Sequence, residues 1–69
     1  VKYVAIIEKT DTGWSAYAPD LPLVVAAGET HDEARQLLEE GIEIWIEETR
    51  AEGLPIPEPT TQAVPIECA

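Results

Sequence analysis

Thr30-His31-Asp32-Glu33-Ala34-Arg35-Gln36-Leu37-Leu38-Glu39-Glu40-Gly41-Ile42-Glu43-Ile44-Trp45-Ile46-Glu47-Glu48-Thr49-Arg50-Ala51-Glu52-Gly53 is the stretch that decides the fold. Its spacing predicts one long amphipathic helix over about residues 31–52, with both ends written into the sequence. Thr30 is a suitable N-cap, and Glu33, three residues later, completes a capping box: the hydroxyl and the carboxylate each accept from a backbone N–H with no helical partner. Asp32 and Glu33 stand at the positive end of the helix dipole. At the other end Arg50 sits in the last turn, Gly53 suits the C′ position and Pro55 forbids continuation.

The apolar residues of this stretch follow the helical period. Ala34, Leu38, Gly41, Trp45 and Thr49 form the centre of one face, flanked on one side by Leu37 and Ile44 and on the other by Ile42 and Ile46. At 100° per residue the sector is roughly 200° wide, about twice what packing on one sheet requires. Leu37, Ile42, Ile44, Trp45 and Ile46 are therefore candidate self-association residues; the plainer reading leaves the flanks part-exposed to solvent. Gly41, in mid-helix on the apolar side, leaves room for a strand or second helix to come close.

Outside the helix the chain supplies little bulk. With 69 residues it makes one small domain, residues 1–69, for which a single core is marginal. Cys68 is the only cysteine and His31 the only histidine, so neither an internal disulfide nor a one-chain Cys/His zinc site can be built. Oligomerisation, as a dimer or tetramer, is the remaining source of stability. No segment is long and apolar enough to span a membrane and no signal-peptide pattern is present, so a cytoplasmic protein is expected.

Net charge is −10, and the helix stretch carries Asp32, Glu33, Glu39, Glu40, Glu43, Glu47, Glu48 and Glu52 against Arg35 and Arg50. Phosphate contacts need clustered Lys and Arg, so direct nucleic-acid binding is not expected. An acidic surface suits a basic partner, though acids on a solvent face also serve solubility alone.

The N-terminal half reads as strands. Lys2 to Lys9 is β-branched and aromatic with apolar residues on both faces, which predicts a central strand. Thr10-Asp11-Thr12-Gly13 is a hairpin loop, with a positive φ expected there, and Trp14 to Ala18 is the return strand. Pro19-Asp20-Leu21-Pro22 interrupts the ladder, and Leu23 to Ala27 resumes it, with Ala26 and Ala27 small enough for the helix to approach. After the helix, residues 54–61 form a proline-rich extended connector, and about 62–67 a short edge strand, Pro65 marking it as an edge. The fold class is α+β: an antiparallel sheet of three to four strands with one long helix packed on one face.

No catalytic constellation emerges. His31 has no positioned partner beyond Asp32, Cys68 has no base, and Ser15 lacks a nucleophile-elbow setting. Gly28 and Gly53 are isolated, so no phosphate-cradling loop exists. Glu40, Glu43 and Glu47 share helical spacing, but hard-cation sites draw oxygens from a turn or from several elements, and a solvated face is the better reading. No catalytic, cofactor or metal site is assigned.

Taken in order, Lys2-Tyr3-Val4-Ala5-Ile6-Ile7-Glu8-Lys9, Gly13-Trp14-Ser15-Ala16-Tyr17, Pro19-Asp20-Leu21-Pro22, Ala27-Gly28-Glu29-Thr30, Glu33-Ala34 and Gly53-Leu54-Pro55-Ile56-Pro57-Glu58-Pro59 resemble the HicB-type antitoxin domain over nearly the whole chain. The resemblance implies a degenerate ribonuclease-H-like domain without its catalytic acids, not itself an enzyme. It implies as partner a small basic HicA-type toxin that cleaves mRNA. Two departures stand out. Leu23-Val24 replaces the family's usual Gly followed by a small or Cys residue, and the sequence ends soon after the proline connector, so DNA binding by a C-terminal module is not carried over. Asp11, Trp14, Tyr17, Asp20 and Glu29, on the hairpin and the loops around it, are the expected toxin contacts, with aromatic anchors and acidic rim. Trp14 shares a strand face with Ala16 and Ala18, so a core role is the competing reading. The alternative function is an orphan oligomeric scaffold without a toxin.

Overall fold

The computed structural model describes residues 2–69. Its elements are β1 (Ile6–Lys9), β2 (Trp14–Ala18), β3 (Leu21–Gly28) and α1 (His31–Ala51). The strands form one antiparallel sheet in the order β1-β2-β3, and α1 crosses one face of it.

The helix is held at both ends as its sequence directs. The Thr30 hydroxyl accepts from the Glu33 amide at 3.0 Å, while the Glu33 carboxylate accepts from the Glu29 amide at 3.0 Å, one residue ahead of the cap. Gly53, at φ 74°, donates to the Arg50 carbonyl and Leu54 donates to that of Thr49, which is a Schellman closure. Pro55 follows immediately.

The strands differ from expectation in four respects. β1 is an edge and starts at Ile6, not Lys2; β2 is the central strand. The reason is length: Ile6 already pairs with Tyr17, and β2 stops one residue further on at Ala18. β3 begins at Leu21 and contains Pro22, because an edge strand needs no outward ladder donor from proline. The break is confined to the turn at Pro19 and Asp20 and to an irregularity between Tyr17 and Ala18. Gly13 does not take a positive φ; it is needed because a Cβ there would run into the Gly28 carbonyl oxygen.

The fourth difference is at the C-terminus. The edge strand expected at about 62–67 does not form, and residues 54–69 contain no strand. Val64 and Ile66 keep strand-like alternation but lie exposed, with Pro65 between them lacking a ladder donor. The sheet therefore has three strands, at the lower end of the expected three to four.

The core is small and built mostly of small residues. Ala16, Ala18, Leu21, Val24, Ala34 and Leu38 are buried, and Tyr3, Ile7, Trp14, Ala26, Ile42 and Trp45 pack around them. The alanines let the helix settle close to the sheet. Closest approach is at Gly28, where a Cβ would stand 2.7 Å from the Ala34 amide nitrogen, and at Gly41, where it would meet a Val24 methyl at 3.2 Å. Ala26 faces the helix, but Ala27 is exposed on the opposite face.

Candidate functional site

Pairing Lys9 with Trp14 and Trp14 with Gly28 places the β1–β2 turn and the β3–α1 turn at one end of the sheet. The first helical residue, His31, meets the Trp14 ring edge-on, with centroids 5.3 Å apart and planes at 80°. The Lys9 ammonium lies 5.3 Å from the Trp14 ring centroid. Trp14 thus closes this end of the core with its body and leaves an aromatic rim at the surface. Asp11 and Glu29, both exposed, occupy the two turns beside it.

The five expected contact residues are not brought to one place. Asp11, Trp14 and Glu29 gather at this hairpin end. Tyr17 lies on the sheet face away from the helix, in a row with Ile6 and Val25. Asp20 lies at the opposite end of β2, in the turn to β3, where its carboxylate is engaged within the chain. Oδ1 accepts from the hydroxyls of Thr60 and Thr61 at 3.0 and 2.9 Å, and Oδ2 from their amides at 3.1 and 3.2 Å. Desolvation pushes its pKa up, but these four hydrogen bonds outweigh it and hold the carboxyl below its ordinary value.

The wide helix face divides by flank. Trp45 and Ile42 pack against the core, and Ile42 and Ile46 line a shallow groove with Tyr3, Glu39 and Glu43. Leu37 and Ile44, on the other flank, are exposed by 42% and 57%.

The outer face of α1 is acidic and open. Asp32, Arg35, Gln36, Glu39, Glu40 and Glu43 line a broad depression rather than a closed pocket. Arg35 Nε lies 3.3 Å from Glu39 Oε1, and Gln36 donates to Glu40 Oε1 at 3.4 Å. Such exposed pairs are worth about 0.3–0.5 kcal/mol each, so this face stays available to a partner. Among the described residues no group of three or more His, Cys, Asp or Glu side chains is gathered to hold a metal ion, and no helix is long and apolar enough to cross a membrane.

Two arrangements escaped the sequence reading. The Trp14–His31 contact joins a strand start to a helix start that only the register brings together. The Asp20 clamp spans 40 and 41 residues, and Asp20 between prolines signals only a local turn.

A three-stranded antiparallel sheet with one acidic helix across one face defines a small α+β domain. The chain belongs to the HicB-like antitoxin family of bacterial toxin–antitoxin systems, whose family model matches residues 3–67. The family is generally non-enzymatic, and its partners are toxins. The chain is also 39% identical over 56 residues to the UPF0150 protein ssr1765 of Synechocystis, covering 80% of this chain and 71% of that protein. No solved structure matches it.

Proposed function

We propose that this domain binds and neutralises a small basic, mRNA-cleaving toxin of the HicA type. The observation that carries the reading is the family match over residues 3–67, in a chain of net charge −10. The acidic outer face of α1 attracts a basic protein over a distance and orients it on approach. The hairpin end, with Asp11, Glu29 and the rim of Trp14, adjoins the first turn of that helix and offers an anchor for close contact. Tyr17 stands apart on the open sheet face and Asp20 is committed to the tail, so both are secondary to this surface.

The test is an mRNA-cleavage assay of a HicA-type toxin, taken from the neighbouring gene where one is found there, titrated with this chain, with the mass of the complex read by light scattering. Stoichiometric loss of cleavage with a stable complex is expected. Undiminished cleavage and no complex would overturn the reading and favour an orphan scaffold.

A further inference from the structure

The groove on the β1 side of α1 joins two kinds of surface. Its walls are Tyr3, Ile42 and Ile46, and its lip is Glu39 and Glu43. The same two carboxylates line the acidic depression on the outer face of the helix, so apolar groove and acidic face are continuous. The groove holds about 290 Å³ and is shallow, whereas small-molecule pockets enclose roughly 300–1,000 Å³. It suits a side chain of another macromolecule better than a free ligand. Two cations share this flank of the helix. Arg35 is paired with Glu39 at 3.3 Å, and Arg50 lies about two turns beyond Glu43. Among the described residues Glu43 has no ion-pair partner.

The Tyr3 wall depends on the proline connector. Residues 2–5 belong to no strand, and the Tyr3 hydroxyl donates to the Pro57 carbonyl at 2.6 Å. A few residues further on, Thr60 and Thr61 are fixed to Asp20. Pro55, Pro57 and Pro59 restrict the backbone to extended forms, so the two attachments act on each other through a stiff spacer. The connector thereby holds one wall of the groove, while α1 supplies the other.

We infer that this groove anchors an aliphatic side chain of the basic partner, that Glu43 receives a Lys or Arg standing beside that side chain, and that the proline connector positions Tyr3 for the contact. An apolar wall with an acidic lip selects the occupant. The connector and tail of this chain, residues 52–69, carry Glu52, Glu58 and Glu67 and no Lys or Arg. A second copy would bring fourteen acids against four cations. A basic protein matches the lip by charge, and its apolar side chain in the groove slows dissociation, which exposed charge pairs alone do little to change. The outer face of α1 then governs arrival and the groove governs release.

This inference rests on the antitoxin reading and refines it, and one experiment separates the two. The seven isoleucines are spread over the core, the open sheet face, both flanks of α1, the connector and the tail, so their labelled methyl signals map a contact on the unmodified chain. On titration with a HicA-type toxin the signals of Ile42 and Ile46 are expected to move. Those of Ile6 on the open sheet face, Ile44 on the other flank and Ile66 in the tail are expected to hold. Ile46→Glu should weaken the complex about tenfold or more, and Ile44→Glu should stay within about twofold of the parent. If Ile46→Glu fails to fold, the methyl map of the unmodified chain decides. Tyr3→Phe keeps the ring and removes the tie to Pro57, and Asp20→Ala frees the other attachment. Each should raise the dissociation rate by about threefold or more, with the double variant no worse than the larger single effect. No complex with the unmodified chain would overturn the antitoxin reading and this inference with it. A stable complex that moves the signals of Ile6, Ile44 or Ile66 instead, or that keeps its strength in Ile46→Glu, would overturn the inference alone. So would Ile42 and Ile46 signals that move with protein concentration before any toxin is added, which would put a second copy in the groove. Parental dissociation rates in both Tyr3→Phe and Asp20→Ala would overturn the role given to the connector.

Discussion

Asp20 and Thr61 stand 41 residues apart and are joined by two hydrogen bonds, from the Thr61 amide to Oδ2 at 3.2 Å and from its hydroxyl to Oδ1 at 2.9 Å. With the matching pair from Thr60, they tie the chain beyond the helix to the β2–β3 turn. A second tie, from the Tyr3 hydroxyl to the Pro57 carbonyl at 2.6 Å, holds the same segment near the start of β1. The proline connector is thus a strap across one end of the sheet.

The strap is sensitive to pH through Asp20. Its carboxyl is held below its ordinary value on folding, so the attachment is complete above about pH 4, the unfolded value. It is lost as the pH falls through the lower, folded value. Protection of the Thr60 and Thr61 amides, taken relative to the intrinsic exchange rate at each pH, should fall in acid over that interval, and Asp20→Ala should abolish it at both positions at every pH, leaving the α1 amides protected.

Close backbone approach makes Gly28 intolerant of a side chain. Gly28→Ala sets a methyl against the Ala34 amide nitrogen, which cannot swing aside as a flexible side chain would. A loss of about 1–3 kcal/mol in denaturant unfolding is expected. Gly53→Ala meets no neighbour but must hold φ 74°, costing roughly 1–2 kcal/mol by strain alone.

Truncations along the helix should separate core from surface. Leu38→Ala, at a fully buried position, is expected to cost about 2–5 kcal/mol. Ile44→Ala, measured by urea unfolding, should stay within about 0.5 kcal/mol of the parent, because this side chain is mostly exposed.

Reversing charge on the outer helix face tests the route by which a basic partner arrives. The double variant Glu39→Lys, Glu43→Lys should slow association with the toxin by about tenfold or more at low salt, with dissociation changing less. The difference from the parent should shrink as salt is added, when both rates are followed by surface-based kinetics. Equal association rates for the two proteins would place the contact elsewhere.

The features legible in the sequence are those decided within a few residues of themselves. Thr30 with Glu33, and Gly53 with Pro55, announce the ends of α1 because caps depend on local hydrogen bonds. The Trp14–Ala18 strand follows from a short polar loop and alternation. What escaped depends on distant partners. β1 looked central because both its faces are apolar, but its place is set by the length of β2. Pro22 looked like a break because proline removes a donor, which matters only where a neighbouring strand would use it. Asp11, Trp14 and Glu29 come together through the register of β2 with β3, and the same register sends Tyr17 to the opposite face. The alternation at Val64 and Ile66 found no neighbour to pair with.

The fixings of α1 are unevenly spread. Its buried residues, Ala34 and Leu38, its Thr30 cap, the close packing on Gly28 and the contact of His31 with Trp14 all belong to its N-terminal half. Beyond Gly41 no residue is fully buried, although Ile42, Trp45, Ile46 and Thr49 remain partly covered. It is a cantilever, rooted where the chain enters and light at its far end. The exposed positions beyond Gly41, Glu43, Ile44, Glu47, Glu48 and Arg50, are consequently the part of the helix that can vary at least cost to folding, so lineages of this domain can retune that end for new company while the root keeps the architecture intact.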